Sequence, residues 1–283
     1  ERIVADLDEP FADPSSFPLW YIARAASAHV KVVLGGDGGD ELFAGYKRYD
    51  KHLRSAWRRG LRLPLPVVAS HAKSTKLLDE LRLDWLSAYA LRFSGMPPAL
   101  RRFLQPALAS VPAVYWDRMP TNTTEPLRAL LETDMHNYLP EYILRKGDLC
   151  TMAHGLELRV PLLDHRLYQA VLAMPDDRRF TRPRKLALGA VCDVCRESKL
   201  FDAAKRGFNP PVAHWLRHEL RERLDGLGAR LAQSTQNQLD GARVQQLIDG
   251  FTSGTDARAE QVLQLLILDT SLAQLLHGPN RVH

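Results

Sequence analysis

VKVVLGGDGGDELFAGYKRY, residues 30–49, is the stretch on which the fold reading turns. Val30 to Leu34 is a short β-branched run suited to a buried parallel strand. Gly35, Gly36, Gly38 and Gly39 then interleave with Asp37 and Asp40, and a helix start follows at Glu41. Glycines let backbone approach a ligand closely, and the N–H groups where such a loop enters a helix suit an anion. Carboxylates in the same loop repel a phosphate unless a divalent cation lies between them. Trp20 to His29 reads as the preceding helix, Ala-rich with one apolar face. Helix, strand, glycine loop and helix make half of an α/β unit. Ligands of such sheets bind beyond the carboxyl ends of the strands, where Gly35 to Asp40 fall.

Outside this stretch the chain predicts helices at roughly 50–60, 74–93, 98–105, 126–147, 162–173, 184–196, 211–232, 242–250 and 257–276, separated by Pro-rich breaks. Residues 1–19, rich in Asp, Pro and Ser, read as an irregular segment with Asp8, Glu9 and Asp13 clustered in it. No second convincing strand is evident past Tyr49. A single sheet strand followed by helices predicts that the remaining strands precede Glu1. The fold class is therefore α/β, predominantly helical over these residues.

The 283 residues are 45% apolar and 25% charged, with a net charge of +5, which is the composition of a globular domain. The basic residues are dispersed, without the stripe or module signature of a nucleic-acid binder. A mild basic excess suits a small anionic substrate. Three cysteines make no disulfide framework and point to a reducing compartment, with the cytoplasm as the expected location. Cys192 and Cys195 form a C-x-x-C without the second pair a zinc site requires, and read as buried helical thiols. No run is long and apolar enough to cross a bilayer.

Two later stretches carry chemistry. In residues 138–167, Gly147-Asp148 interrupts an amphipathic helix, and Glu157 and Arg159 sit two apart in an extended segment, so they point the same way. They read either as an ion pair that locks a turn or as a carboxylate and guanidinium facing the glycine loop. Asp164 reads as the N-cap of the next helix. In residues 205–215, Lys205 on a glycine loop can bring a point charge to a phosphate, while Phe208 and Trp215 are expected to anchor that loop by burial.

Taken in order, DEPFADPSSFP, VVLGGDGGDELFAGYKRY, the run from DMHNYLPEYILRKGD to TMAHGLELRVPLLDH, and KRGFNPPVAHW resemble the synthetase domain of glutamine-hydrolysing asparagine synthetases. The resemblance covers about Asp6 to Leu220. It implies the C-terminal part of a pyrophosphate-loop, adenine-nucleotide α-hydrolase-like parallel-sheet domain. Residues 1–50 would end the nucleotide-binding α/β core, and 51–283 would form the helical remainder. The family's N-terminal glutaminase domain and its S-G-G-x-D-S loop are not in this sequence, so the chain alone is expected to be inactive.

The implied reaction begins when aspartate's side-chain carboxylate attacks the α-phosphorus of ATP, giving β-aspartyl-AMP and pyrophosphate. Ammonia from glutamine then displaces AMP. The resemblance implies ATP and Mg²⁺, with Asp40 as the metal aspartate, Lys205 steadying the phosphates, and Gly35, Gly36 and Gly38 on the nucleotide. It puts Asp37 at the acid of the aspartyl-AMP step, and Asp148, Glu157 and Arg159 near the substrate pocket. The expected partners are small molecules (ATP, aspartate or a related carboxylate, ammonia), with neither nucleic acid nor membrane, and a homodimer is left open.

The sequence departs from the family pattern at four positions. Gly35 stands for a common Ser, Asp37 for a common Glu, Leu149 for an Arg or Lys after Asp148, and Ala203 for an Arg near Lys205. Losing a charge-assisted contact removes ~1.5–3 kcal/mol. Leu149 and Ala203 therefore keep two alternatives open: an amidotransferase for another carboxylate (a secondary metabolite, peptide or polysaccharide), and a non-catalytic helical module. The loop lacks the alternating ligands of a calcium-binding EF-hand.

Overall fold

A computed structural model describes residues 1–58, 61, 63–65, 76–108, 123–181, 185–190, 194 and 207–277. The chain divides into two compact units. One comprises Glu1–Pro18, Gly60–Tyr115 and Asn209–His283, the other Leu19–Arg59 and Trp116–Phe208. Cys192, Cys195, Ala203 and Lys205 lie outside the described residues, and the expectations that fell on them stay there.

The second unit carries the sheet. Strand β1 (Val32–Leu34) pairs in parallel with strand β2 (Glu157–Arg159), in the register Val32 with Glu157, Val33 with Leu158 and Leu34 with Arg159. The Glu157 N–H donates to the Lys31 carbonyl at 2.9 Å and the Gly35 N–H to the Arg159 carbonyl at 2.8 Å. The second strand corrects the single-strand reading. It has one apolar residue, Leu158, between two charged ones, too little local pattern to separate it from a loop. The expected burial of β1 is also corrected: Val32 is 38% and Leu34 73% exposed. Only two strands pair among the described residues, and Val32 and Leu34 stand exposed on a face that parallel sheets normally cover.

The longest helical run in this unit spans 126–152. It starts as an α-helix at Pro126–Thr133, widens into a π-helix at Asp134–Leu144, and returns to α-helix at Arg145–Met152. Pro140 lies inside the wide segment. A proline lacks an N–H and clashes with the carbonyl one turn back in an α-helix, and helices meet such positions by local rewinding. Gly147 does not interrupt the helix. A Cβ there would sit 2.6 Å from Leu158 Cδ2, so this glycine lets the helix close onto β2.

The first unit is all-helical. Its core gathers Leu104, Leu216, Leu224, Leu227, Leu231, Val244, Leu247, Phe251 and Val262. The expected helix 74–93 is two, Lys76–Arg82 and Trp85–Ala90, and 211–232 breaks into Val212–Arg217 and Leu227–Ser234, whereas 98–105, 242–250 and 257–276 appear as Pro98–Leu104, Gly241–Thr252 and Ala259–His277. Asp84 caps the second of these, its Oδ1 accepting from the Ser87 N–H at 3.0 Å. Gly228 and Gly241 allow two helices to touch backbone to backbone, since a Cβ on Gly228 would lie 2.3 Å from the Gly241 oxygen. The N-terminal segment is more ordered than its composition suggests, with a helix at Arg2–Asp6 whose Val4 joins this core. Trp215 is half-buried and packs edge-on to Phe17 at 6.0 Å, whereas Phe208 is 54% exposed and anchors nothing by burial. No helix among the described residues is long and apolar enough to cross a membrane.

Candidate active site

The glycine loop leaves β1 at its carboxyl end, as expected. Gly38 adopts φ +86°, and a Cβ on it would lie 2.2 Å from Leu163 Cδ2, so conformation and space both require glycine. Gly36 faces open space. A Cβ on Gly35 would sit 3.0 Å from both Asp37 Oδ2 and Leu158 Cδ1. A serine could enter there only if those neighbours gave way, which rationalises the glycine at that departure from the family pattern. The helix that follows, Gly39–Leu42, is a single turn, shorter than the helix start expected to receive an anion.

Asp37 is partly buried, and that burial pushes its carboxyl above the usual aspartate range. The Asp40 charge adds to the rise and Lys146 opposes it. Asp40 is engaged by Lys185, whose Nζ lies 2.8 Å from Asp40 Oδ1. The loop therefore brings two aspartates within electrostatic reach of each other and sets a lysine against each.

Glu41 was not singled out by sequence reasoning as a site residue. Its side chain is 1% exposed, and Tyr46 Oη donates to Glu41 Oε1 at 2.9 Å. Burial pushes its carboxyl up to about 7; the Tyr46 hydrogen bond opposes the rise, while Asp134 and Asp40 add to it. Burial likewise holds the Tyr46 phenol well above its ordinary range. Position in the sequence gives no signal for this, because a charged residue after Asp40 reads as the solvated side of a helix start.

The Glu41 value has a consequence for stability. A carboxyl whose folded-state value exceeds its unfolded one, here about 7 against 4.5, holds its proton more tightly when folded. Its contribution to stability is complete below 4.5, falls as pH rises through about 7, and is absent above. The loss amounts to on the order of 3 kcal/mol, at ~1.4 kcal/mol for each pH unit. Glu41→Gln keeps an acceptor for Tyr46 and should remove this slope. Urea unfolding at several pH values checks it: the variant should match the parent near pH 4 and exceed it at about pH 8.

Behind Glu41 lies a second buried charge. Asp134, fully buried, accepts from Arg48 Nη2 at 2.7 Å and from Tyr49 Oη at 2.6 Å. The Arg48 guanidinium lies 3.5 Å from the Tyr46 ring centroid and 4.5 Å from that of Tyr138. Tyr138 stacks on Tyr142 at 5.1 Å, and Lys146 Nζ stands 5.6 Å from the Tyr142 centroid. This chain of contacts links the π-helix to the loop.

The remaining expected residues are placed as follows. Glu157 and Arg159 form an exposed ion pair at 2.8 Å. Strand alternation puts them on the face of Val32 and Leu34, opposite Leu158, which meets Gly147. Asp148 is exposed on the Arg145–Met152 helix, with Leu149 half-buried beside it. Asp164 caps the helix His165–Leu172, accepting from the Arg166 N–H at 2.9 Å, as its position predicted.

Among the described residues no group of three or more His, Cys, Asp or Glu is placed to hold a metal ion. Mg²⁺ is commonly held by one or two protein carboxylates, with phosphates and waters filling its shell. Asp40 fits that sparse mode as a single carboxylate, with a lysine already on it.

Comparison with known proteins gives a consistent picture. A family profile described as asparagine synthase matches residues 1–276. A putative glutamine-hydrolyzing asparagine synthetase of Mycobacterium tuberculosis is 32% identical over 286 aligned residues, which cover 94% of this chain and 43% of that protein. The glutamine-hydrolyzing asparagine synthetase 1 of Bacillus subtilis is 29% identical, over 78% of this chain and 37% of its own length. The amidase chyE of Penicillium rubens is 23% identical, over 73% of this chain and 36% of its own length. The chain thus spans less than half the length of these curated relatives. No solved structure matches it.

Proposed function

The chain belongs to the asparagine synthase family, and from that premise we propose that it supplies the C-terminal part of an ATP-dependent, amide-forming active site. The observation that supports this most directly is the loop after β1, where Asp37 and Asp40 approach each other with Lys146 and Lys185 against them. In the proposed reaction a substrate carboxylate, that of aspartate, attacks the α-phosphorus of ATP and expels pyrophosphate. Ammonia then displaces AMP from the acyl-adenylate. Negative charge builds on the phosphates in the first step, and fixed cations close to the loop offset it. Mg²⁺, held at Asp40 with the phosphates, would add to that neutralisation.

Asp37 takes the acid–base role. A carboxylate held above the ordinary aspartate range is a better proton acceptor near neutral pH than an exposed one. In the second step it would receive the proton that ammonia must lose as the amide forms. Lys205 remains the proposed phosphate lysine on the strength of its motif, and Gly35, Gly36 and Gly38 the proposed nucleotide-contacting backbone. Asp148, Glu157 and Arg159 remain proposed substrate-side residues.

A second reading keeps adenylation and changes the acceptor. Leu149 favours it, because it removes a cation beside Asp148 at a position the resemblance associates with the substrate. The experiment that separates the two readings is pyrophosphate release with ATP, Mg²⁺ and a panel of carboxylates. It should be run on the longest natural polypeptide that carries this chain. Release that depends on aspartate is the expected result, and release with a different acid alone transfers the reading to that acceptor. Silence across the panel removes both and leaves a binding role for the helices.

A further inference from the structure

Lys185 entered none of the sequence expectations, yet the structure builds a place for it. Its Nζ sits 2.8 Å from Asp40 Oδ1, with 24% of the lysine side chain and 16% of the aspartate side chain exposed. The pair occupies the space that a side chain at residue 45 would contest. A Cβ at Gly45 would lie 1.8 Å from Asp40 Oδ1 and 2.4 Å from Lys185 Cε. The Gly45 N–H also donates to the Asp40 carbonyl at 2.8 Å, so the backbone at this position is fixed against the aspartate. Lys185 itself has φ +64°, a region that a lysine enters only at an energetic cost. Its carbonyl accepts the Leu188 N–H at 3.0 Å at the start of the helix Leu186–Ala190. A strained backbone, a glycine at the contact and a short ion pair converge on one side chain.

We propose that Lys185 is the resident counter-ion of Asp40, and that it keeps a divalent cation off this carboxylate until a polyphosphate arrives to take up the ammonium. A divalent ion on Asp40 would come within a few ångströms of Nζ in a partly desolvated setting, where like charges repel strongly. Metal and lysine therefore compete for one carboxylate. Polyphosphate resolves the competition, because it offers the displaced ammonium an anion and the metal further oxygen ligands. The cation then enters together with the polyphosphate, and Asp40 acts as a positioning residue for Lys185 before that. Identifying the polyphosphate as ATP rests on the proposed function; the competition at Asp40 does not.

The test is Mn²⁺ alone, without nucleotide, titrated against the chain with free Mn²⁺ followed by electron paramagnetic resonance. The parent chain should bind it weakly. Lys185→Met should bind at least about tenfold more tightly, Lys185→Arg should behave like the parent, and Lys185→Met combined with Asp40→Asn should lose the gain. Unchanged binding in a folded Lys185→Met overturns the proposal, as does a gain that survives the Asp40→Asn change. Lys185→Gln is the second uncharged variant. If neither Lys185→Met nor Lys185→Gln folds, the lysine is a structural strut and the proposal falls. Failure of pyrophosphate release would remove the proposed reaction and leave the Mn²⁺ result standing, so the two readings fail separately.

Discussion

Asp134→Ala should destabilise the sheet-bearing unit by about 3 kcal/mol, the low end of the cost of removing one partner from a buried ion pair, because 20% of the Arg48 side chain is exposed. Asp134 is itself fully buried and accepts from the half-buried Arg48 at 2.7 Å and from the buried Tyr49 at 2.6 Å. Alanine takes the carboxylate from both and removes the acceptor from a half-buried guanidinium that packs on the rings of Tyr46, Tyr49 and Tyr138. Those rings attract the cation but supply no acceptor in the plane of its N–H groups. Asp134→Asn retains one oxygen for Tyr49 and loses the charge, so an intermediate loss of ~1–3 kcal/mol is expected. Arg48→Met combined with Asp134→Ala should cost less than the sum of the single changes, because no guanidinium is then left without its carboxylate. Hydrogen exchange along 126–152 is the suitable measurement, since it reports this unit without assuming that the whole chain unfolds in one step. Protection that is unchanged in Asp134→Ala would show that the π-helix is held by other contacts.

The features legible in the sequence were those with local causes. The strand, glycine loop and helix start at 30–49 declare themselves by β-branching and by glycine spacing. Asp164 declares itself as a cap because it stands just ahead of an apolar-periodic run. The Glu157–Arg159 pair follows from the period of an extended segment, and the structure closes it at 2.8 Å. Long helices such as Ala259–His277 are visible from their apolar periodicity.

The features that stayed hidden are set by partners distant in the chain. Strand β2 exists because β1 is there to pair with it. Gly147 looks like a helix break until Leu158 is seen 2.6 Å from where its Cβ would be. Glu41 looks solvated, and once buried its proton affinity feels the Tyr46 hydrogen bond and the charge of Asp134, ninety-odd positions along the chain. The contact of Lys185 with Asp40 spans still more sequence and occupies space that a side chain at Gly45 would contest, which no pattern of charges announces. In this chain the loop that names the chemistry is local, and the groups that set its charge balance are not.

That charge balance governs the second large effect. On the proposed reaction, Asp37→Asn should lower the rate of amide formation from ammonium by about 10²–10⁴-fold, the usual contribution of a positioned general base. The asparagine is nearly isosteric and cannot accept a proton at neutral pH, so folding should be little changed. The pH profile carries the stronger test. The base must be ionised to act, so the rate rises with pH through the Asp37 value, and burial puts that limb above the ordinary aspartate range. Lys146 opposes the rise. Lys146→Met should therefore move the acid limb to higher pH, in addition to whatever it costs the plateau rate by removing a cation near the phosphates. A lysine that mattered only for packing or for phosphate binding would lower the rate at every pH and leave the limb in place. Asp37 as the base requires the limb to move; a limb that stays put in Lys146→Met, or an Asp37→Asn variant that retains the parental rate, assigns the proton to another group.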